Sequence, residues 1–271
     1  MRWDYFARNN IRFIALEEWL EDGVDIGFST RQGGVSQGVY DSLNLGLHVD
    51  DQNELVLENR RRYLAAFNTD LNNVVCCQQV HGNRVSRVER ADKTRGAFRL
   101  NEALPECDAM ITNVPEVCLL SFYADCVPVF FYDPANRAIG IAHCGWKGTM
   151  GRIATNTLAA MQREYQSSPE TVRVFIGPGI GPCCFQIESD LAAKVKAEFS
   201  NLHDIITRDD KDFFSWDLQE TNAQILTDAG VQPTHITICK LCTSCHTKSF
   251  YSYRKENGET GRMGALIGLK Y

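Results

Sequence analysis

The stretch VCLLSFYADCVPVFFYDPANRAIGIAHCGWKG, residues 117–148, decides the fold. It contains three runs rich in β-branched and aromatic residues, as is typical of strands, namely Val117–Tyr123, Val127–Tyr132 and Ala138–Ala142. Asp125 and Pro128 interrupt the apolar run between residues 117 and 132. That run is also shorter than the roughly 20 residues that a membrane-spanning helix needs. The stretch therefore predicts neighbouring strands of a globular domain.

Further strand-like runs flank this stretch: Ile11–Leu16, Val24–Ser29, Asn73–Gln78, Arg84–Val88, Val172–Ile176, His235–Cys239, Phe250–Tyr253 and Ala265–Leu269. Apolar spacing predicts four helices, over Glu54–Phe67, Thr149–Tyr165, Ser189–Phe199 and Trp216–Ala229. Asn53 and Ser215 are predicted to cap the first and the last of these helices, and Gly230 to end the last one. Because the strands cluster without regular strand–helix alternation, the sequence predicts an α+β fold with mixed β-sheets packed against helices.

The composition is typical of a soluble globular protein. The chain has 271 residues, of which 44% are hydrophobic and 23% charged, and its mean hydropathy is −0.26. These values exclude a disordered chain, a collagen and a coiled coil. Since no repeat or linker divides the sequence, we expect one catalytic domain over residues 1–271.

The charge and the cysteines limit the partners and the compartment. A net charge of −6 indicates no strongly basic face, so we expect no nucleic-acid partner. The first eight residues lack the apolar segment of a signal peptide, which favours a cytoplasmic protein without a membrane partner. In that compartment the eleven cysteines indicate thiols or metal ligands. The sequence leaves the oligomeric state open.

Three segments each place a metal-capable side chain at the end of a strand-like run. They are QQVHG (78–82), YADCVP (123–128) and IAHCGWKG (141–148), and their candidate ligands are His81, Cys126 and His143. Two imidazoles and one thiolate suit Zn²⁺ with an open fourth position, which is the arrangement of a catalytic site. Taken singly, each residue is more common in a protein core than at a metal.

Five motifs in order resemble the YfiH family, also called the multicopper polyphenol oxidase laccase family. They are QVHGNRV, ADCVPVFFYDP, AHCGWKGT, GPGIGPCCFQI and FYSYR followed by TGR. The resemblance runs from residue 28 to the C-terminus. It implies an enzyme that phosphorolyses adenosine, inosine and methylthioadenosine and that deaminates adenosine. It also implies that His81, Cys126 and His143 are the metal ligands. Lys147 departs from the family, which usually has Arg there.

Phosphorolysis requires cationic side chains for inorganic phosphate, and the planar fork of Arg matches phosphate oxygens. Polar residues in the matched motifs are therefore predicted to bind substrate or phosphate: Arg31, Asn44, Gln79, Lys147, Ser252, Arg254 and Arg262. Arg31 is the first candidate, because it lies in a Gly-rich turn where we expect an exposed side chain. Asp125 is predicted to transfer protons or to hold a histidine N–H, and it completes a catalytic set with Cys126 and His143.

Two other functions use the same residues. Two histidines and one cysteine also describe a copper centre, so a copper-dependent polyphenol oxidase is the alternative, with Cu²⁺ as the alternative metal. Six histidines without an HxH pair are few for a multicopper enzyme. A cysteine hydrolase would use Cys126 as the nucleophile and His143 or His81 as the base.

Two further motifs are interpreted as structural. CTSCH at 242–246 matches a haem attachment signature and Cys239 extends it, but we interpret Cys239, Cys242, Cys245 and His246 as a buried or loop thiol cluster, with a second, adventitious metal as the alternative. GPGIGP at 177–182 is interpreted as a tight turn after a strand, close enough to line a pocket. Cys183 and Cys184, which follow it, are predicted to lie in the core.

Overall fold

The strands of the computed structural model form two six-stranded sheets and one three-stranded sheet, within the residues that the structure describes, 1–208 and 213–270. The first sheet contains, in spatial order, β1 (Trp3–Arg8), β2 (Ile11–Leu16), β3 (Val24–Ser29), β15 (Met263–Leu269), β7 (Cys118–Tyr123) and β4 (Val74–Cys76). Neighbouring strands are antiparallel except β4 and β7, which are parallel.

The second sheet contains, in spatial order, β14 (Ile236–Ile238), β10 (Arg173–Ile176), β8 (Val127–Asp133), β9 (Ala138–Cys144), β6 (Ala109–Thr112) and β5 (Val85–Arg87). Its edge strands β14 and β5 pair in parallel with their neighbours, and its inner pairs are antiparallel. The small sheet consists of β11 (Gln186–Ile187), β13 (Phe214–Trp216) and β12 (Ile206–Arg208). The predicted α+β class with mixed sheets is confirmed.

Strand β8 shows why residues 127–132 form an almost continuous apolar run. Phe130 and Tyr132 belong to the core shared with the first sheet. Val129 and Phe131 belong to a second core on the opposite face, which contains helix residues such as Leu158. A sheet that is covered on both faces needs apolar side chains at successive positions, so the run does not alternate with polar residues.

The described ranges contain six α-helices: α1 (Glu17–Glu21), α2 (Asn53–Ala65), α3 (Trp146–Met150), α4 (Ile153–Tyr165), α5 (Ser189–Glu198) and α6 (Leu218–Asp228). Helix α2 lies on the first sheet, where the Tyr63 hydroxyl donates to the Gly27 carbonyl at 2.7 Å. A Cβ at Gly27 would lie 2.4 Å from the Phe67 ring, so glycine permits this close approach. None of the helices in these ranges is long and apolar enough to cross a membrane.

The predicted strand Phe250–Tyr253 is wrong, because the structure has turns and loops there. The backbone N–H of Ser252 donates to Glu256 Oε2 at 2.8 Å, and that of Arg254 donates to Asp125 Oδ2 at 2.7 Å. Carboxylates thus accept the hydrogen bonds that a neighbouring strand would otherwise receive. Local propensity gave no sign of the Asp125 acceptor, which lies 129 residues from Arg254 in the chain.

The helix predicted over Thr149–Tyr165 divides into α3 and α4, because Arg152 adopts a left-handed conformation with φ +60°. The predicted caps were also wrong. Asn53 is the first residue of α2, and Asp217, not Ser215, caps α6 by accepting from the Glu220 N–H at 2.9 Å. Gly230 follows α6 with φ +98°, as predicted. The elements β1, β6, β11, β12, β13 and α1 were missed.

Candidate functional site

A cavity of about 680 Å³ opens where the ends of β7, β8 and β9 meet loops from the C-terminal half of the chain. It brings together eight of the predicted site residues: Gln79, His81, Asp125, Cys126, His143, Lys147, Arg254 and Arg262. It has the size expected of a small-molecule site. Its other lining side chains are largely apolar and aromatic, among them Phe122, Phe185 and Tyr253.

His81, Cys126 and His143 converge on one point of this cavity, and we call them the triad. Their ligand atoms all lie within 4.8 Å of one another. The two imidazole rings are 4.8 Å apart between centroids, at an angle of 68°. His143 is buried, Cys126 is half-buried and His81 is exposed, so the group faces the cavity on one side. The triad could hold a metal ion and leave a coordination position open.

Asp108 organises the triad, and sequence reasoning missed it. Its Oδ1 lies 2.8 Å from His143 Nδ1, in a fully buried contact. It also accepts the backbone N–H groups of Val80, His81 and Gly82, at 3.2, 2.9 and 2.7 Å. A carboxylate on one ring nitrogen orients the other nitrogen towards a metal. The only sequence signal was an acidic residue directly before an apolar run, which does not reveal a partner 35 positions away.

The loop that carries His81 is fixed by Asp108, which accepts its backbone N–H groups, and by Gln79. The Gln79 side chain donates to the Phe122 carbonyl at 2.9 Å and accepts from the Phe122 N–H at 2.8 Å, so it docks the loop on β7. His81 has φ +60° and Asp125, beside Cys126, has φ +85°. Such conformations are costly for residues other than glycine, and they often occur at functional sites.

Gly145 follows β9 and provides the space that the triad needs. A Cβ at this position would lie 2.8 Å from Cys126 Sγ and 3.2 Å from His81 Cδ2. Its φ of −72° is accessible to any residue, so glycine is required here by contact and not by backbone conformation. The glycine of the GWKG motif therefore has a direct steric role at the triad.

The triad has the electrostatics of a cation site. Burial alone would raise the pKa of the Cys126 thiol, but the charge and hydrogen bonding of His143, together with His81, lower it to about 6. Burial would likewise lower the pKa of His143, but Cys126 and Asp108 raise it to about 9. The surroundings thus stabilise a thiolate beside a positive charge. A metal ion would take the place of that positive charge, so this donor set fits a metal.

Asp125 lines the cavity and ties its C-terminal loops together. Its carboxylate accepts from Thr243 Oγ1 at 2.7 Å, from Ser252 Oγ at 3.0 Å and from the Arg254 N–H at 2.7 Å. A carboxylate has about four lone-pair sites, so these contacts leave about one free. The sequence predicted Asp125 as a partner for a histidine N–H, but the carboxylate that contacts His143 is that of Asp108.

Three cationic side chains reach the cavity: Lys147, Arg254 and Arg262. Arg254 donates to the carbonyls of Cys184 and Gln186 at 3.4 and 3.2 Å and lies over the Phe185 ring. Arg262 donates to the carbonyls of Thr260 and Gly261 at 2.7 and 3.0 Å. These contacts place the guanidinium groups without neutralising them. The cavity can therefore attract an anion.

Arg31, Asn44 and Ser252 do not line this cavity. The expectation that Arg31 is exposed is wrong, because its side chain is only 15% exposed. Arg31 lies over the Tyr251 ring, pairs with Glu256 at 2.8 Å and donates to two backbone carbonyls. Asn44 is buried and accepts the Arg262 N–H at 2.9 Å. These residues affect the cavity indirectly, because they hold the loops that carry its lining residues.

The cysteines of the CTSCH motif and of the segment that follows GPGIGP do not all lie where the sequence predicted. The prediction that Cys183 and Cys184 lie in the core is wrong, because Cys183 is exposed and Cys184 is half-buried. Both lie beside Cys242 and Cys245, in the loops. Cys239 is buried and is not a member of that group, so the loop cluster differs from the one predicted. Ile180, in the predicted turn, lines the cavity.

Comparisons with known proteins agree with this architecture. A family model described as multi-copper polyphenol oxidoreductase laccase matches residues 25–270. The protein named purine nucleoside phosphorylase YlmD of Bacillus subtilis is 37% identical over 262 residues, which are 95% of this chain and 94% of the relative. The relative of the same name from Geobacillus stearothermophilus is 37% identical and is covered over 91% of its length, with 92% of this chain.

Solved structures of two similar proteins share the fold of this chain. The hypothetical protein YfiH of Bacillus licheniformis has a TM-score of 0.91 at 37% identity, with 98% of this chain and 99% of that chain covered. YlmD from Geobacillus stearothermophilus has a TM-score of 0.92 at 34% identity, with 99% of each chain covered. The family match, the relatives and the shared fold together show that this chain belongs to the multi-copper polyphenol oxidoreductase laccase family, the YfiH family that its motifs resemble.

Proposed function

We propose that this protein is a zinc-dependent purine nucleoside phosphorylase that also deaminates adenosine. The observation that carries the proposal is the presence of the triad and of three cationic side chains in one cavity. The names of the relatives support the phosphorylase activity. The proposed substrates are adenosine, inosine and S-methyl-5′-thioadenosine, which react with phosphate to give the free base and ribose 1-phosphate or its methylthio derivative.

In phosphorolysis, Lys147, Arg254 and Arg262 would bind inorganic phosphate as an anion. A phosphate oxygen attacks C1′ of the ribose, and the bond from C1′ to the purine nitrogen breaks. The purine leaves with that electron pair and takes up the proton that the attacking hydrogen phosphate loses. Charge-assisted hydrogen bonds from the guanidinium groups would orient the phosphate for this attack. The aromatic side chains of Phe122, Phe185 and Tyr253 offer surfaces for a flat purine ring.

In deamination, water adds at C6 of adenosine and ammonia leaves, so that inosine forms. Zinc bound by His81, Cys126 and His143 would supply a Lewis acid that lowers the pKa of water. Asp125, with about one free lone pair, is the proposed group that moves protons during this exchange. Asp108 would keep the His143 ring in the orientation that ligation requires.

The test is to incubate the purified protein, with its metal content measured, with each nucleoside in the presence and absence of phosphate. We expect base release only with phosphate, and inosine formation from adenosine without it. Cys126→Ala should lose the metal of the triad and the turnover, whereas Cys239→Ala, a change at a cysteine outside the triad, should keep both. Full metal content or full turnover in Cys126→Ala would contradict the proposal.

A copper-dependent polyphenol oxidase is the second candidate, because the family description names copper and laccase chemistry. Within the described residues, the groups of converging metal ligands are the triad and a cluster of four cysteines. Neither group is the histidine-rich cluster that several copper ions need. Phenol oxidation by copper-loaded protein, together with no nucleoside turnover by zinc-loaded protein, would favour this candidate.

A cysteine hydrolase would use the lowered pKa of Cys126 directly. Alkylation with iodoacetamide separates the two roles of this thiolate. A free nucleophile reacts with or without a chelator, whereas a metal ligand is protected until the metal is removed. We expect modification of Cys126, followed by mass spectrometry, to require the chelator.

A further inference from the structure

Four cysteines from two distant loops meet beside the cavity. Cys183 and Cys184 lie in the turn between β10 and β11, whereas Cys242 and Cys245 follow β14. Their sulfur atoms all lie within 4.8 Å of one another. Cys245 Sγ is 3.5 Å from Cys183 Sγ and 3.4 Å from Cys184 Sγ, and all four thiols are free. We call this group the four-cysteine cluster.

These distances match a single tetrahedral ion. Four sulfurs at about 2.3 Å from a zinc ion form a tetrahedron with edges of about 3.8 Å. The observed separations need only small side-chain rotations to reach that value. A [4Fe–4S] cluster binds each thiolate to a different iron, so its four sulfurs stand further apart than sulfurs around one ion.

The backbone of both loops fixes this convergence before any ion is bound. The Thr243 N–H donates to the Gly179 carbonyl at 3.0 Å, and the Cys184 N–H donates to the Gly181 carbonyl at 3.0 Å. A Cβ at Gly181 would lie 3.2 Å from Cys242 Cβ and 3.4 Å from Cys183 Sγ, so a larger residue there would crowd two of the thiols. The loops are thus shaped around the sulfur atoms.

We propose that Cys183, Cys184, Cys242 and Cys245 bind one Zn²⁺ in a closed, structural site distinct from the triad. Four thiolates saturate a tetrahedral zinc ion, so this site leaves no position for water or substrate. The thiols release their protons when the ion binds. This ion site is independent of the nucleoside that the cavity accepts.

The ion would hold the loop wall of the cavity in place. Ile180 and Phe185, on one of the two loops, line the cavity. Thr243, on the other loop, donates to Asp125 Oδ1 at 2.7 Å, and the Ile180 N–H donates to the Asp125 carbonyl at 2.7 Å. An ion between the loops therefore crosslinks the segments that surround Asp125.

The first test measures zinc per chain in the purified protein and in variants. Cys183→Ser combined with Cys245→Ser removes the two exposed ligands, and we expect it to contain one zinc fewer than the wild type. The matched control, Cys239→Ala, changes the neighbouring cysteine outside the cluster and should keep the wild-type content. Equal zinc in the wild type and the double variant would overturn the proposal.

The second test leaves all four cysteines intact. In Cys126→Ser, which lacks the thiolate of the triad, Co²⁺ added to the metal-free protein should give the intense thiolate-to-cobalt bands and the tetrahedral visible bands of a four-sulfur site. The absence of these bands would overturn the proposal. So would iron with inorganic sulfide in the native protein, or a mass two daltons lower that maps to a disulfide in the cluster under reducing purification.

Discussion

The two sides of the cavity are built in different ways. On the strand side, Asp108 directly precedes β6, Cys126 lies between β7 and β8, and His143 belongs to β9. On the loop side, segments 177–185 and 239–254 consist mainly of turns and loops. Side-chain hydrogen bonds to carboxylates hold the loop side, whereas backbone pairing holds the strands.

This difference separates the roles of the two sides. Strand pairing such as that of Pro128 with His143 fixes His143, and the Asp108 carboxylate fixes the backbone of His81, within the narrow range of positions that a metal site requires. The loop side depends on a few side-chain acceptors, Asp125 and Glu256 among them. Damage to the strand side should therefore abolish metal binding by the triad, whereas damage to the loop side should weaken substrate affinity and local stability.

The largest effect is expected for Gly145→Ala on the strand side. The new methyl group would lie 2.8 Å from Cys126 Sγ and should displace the triad. We expect loss of the triad metal and a fall in turnover of about 100-fold, as is typical for a misplacement of about 1 Å. Gly82→Ala is the matched control, since its Cβ would make only an ordinary contact of 3.5 Å. Similar turnover in both variants would refute the steric role.

Asp108→Asn should act on metal affinity, because it removes the negative charge next to His143. Loss of such a partner typically weakens metal binding about 10–100-fold, which a chelator competition would measure. Asp133→Asn is the control, since Asp133 is also buried but accepts from Ala135 and Asn136 at the far end of β8. Equal losses in the two variants would point to general destabilisation.

On the loop side, Arg254→Gln tests phosphate binding. Loss of one charge-assisted hydrogen bond costs about 1.5–3 kcal/mol, so the KM for phosphate should rise roughly tenfold to 100-fold. Adenosine deamination should change less. Arg31→Gln is the comparison, because Arg31 lies outside the cavity and binds Glu256. If Arg31→Gln raised the phosphate KM as much and kept its thermal stability, Arg31 would be the phosphate residue first predicted from sequence.

The smallest effect concerns Glu256, whose carboxylate holds Arg31, Ser252 and Thr260. Burial would raise its pKa, but these contacts outweigh burial and lower the pKa below the usual 4.5. The ionised form therefore stabilises the fold above about pH 4.5, and this stabilisation disappears as the pH falls through the lowered pKa.

Glu256→Gln should accordingly reduce the free energy of unfolding by about 1–2 kcal/mol at pH 7, and the difference from the wild type should vanish in acid. Urea unfolding at a series of pH values measures this. Glu259→Gln, at an exposed neighbour, should show no such pattern. A difference that persists at low pH would mean that the charge of Glu256 is not the cause.

The sequence alone identified those parts of the molecule that depend on local pattern. The bounds of β2 and β3 and the apolar run of β8 follow from residue type, because a buried strand needs apolar, β-branched or aromatic side chains. The triad also came from sequence, since its three motifs occur together and resemble those of the YfiH family. Gly230 was predicted because only a residue tolerant of positive φ ends a helix in this way.

Only the tertiary structure decided how distant residues meet. Asp108 reaches His143, Asp125 reaches Thr243 and Ser252, and Cys184 reaches Cys245 across separations of 35 to 127 residues. It also placed Arg254 in the cavity and Arg31 outside it, although the sequence predicted a role in substrate or phosphate binding for both. Local periodicity reports which face of an element is buried, but the partner of a polar side chain is fixed by the packing of the whole chain.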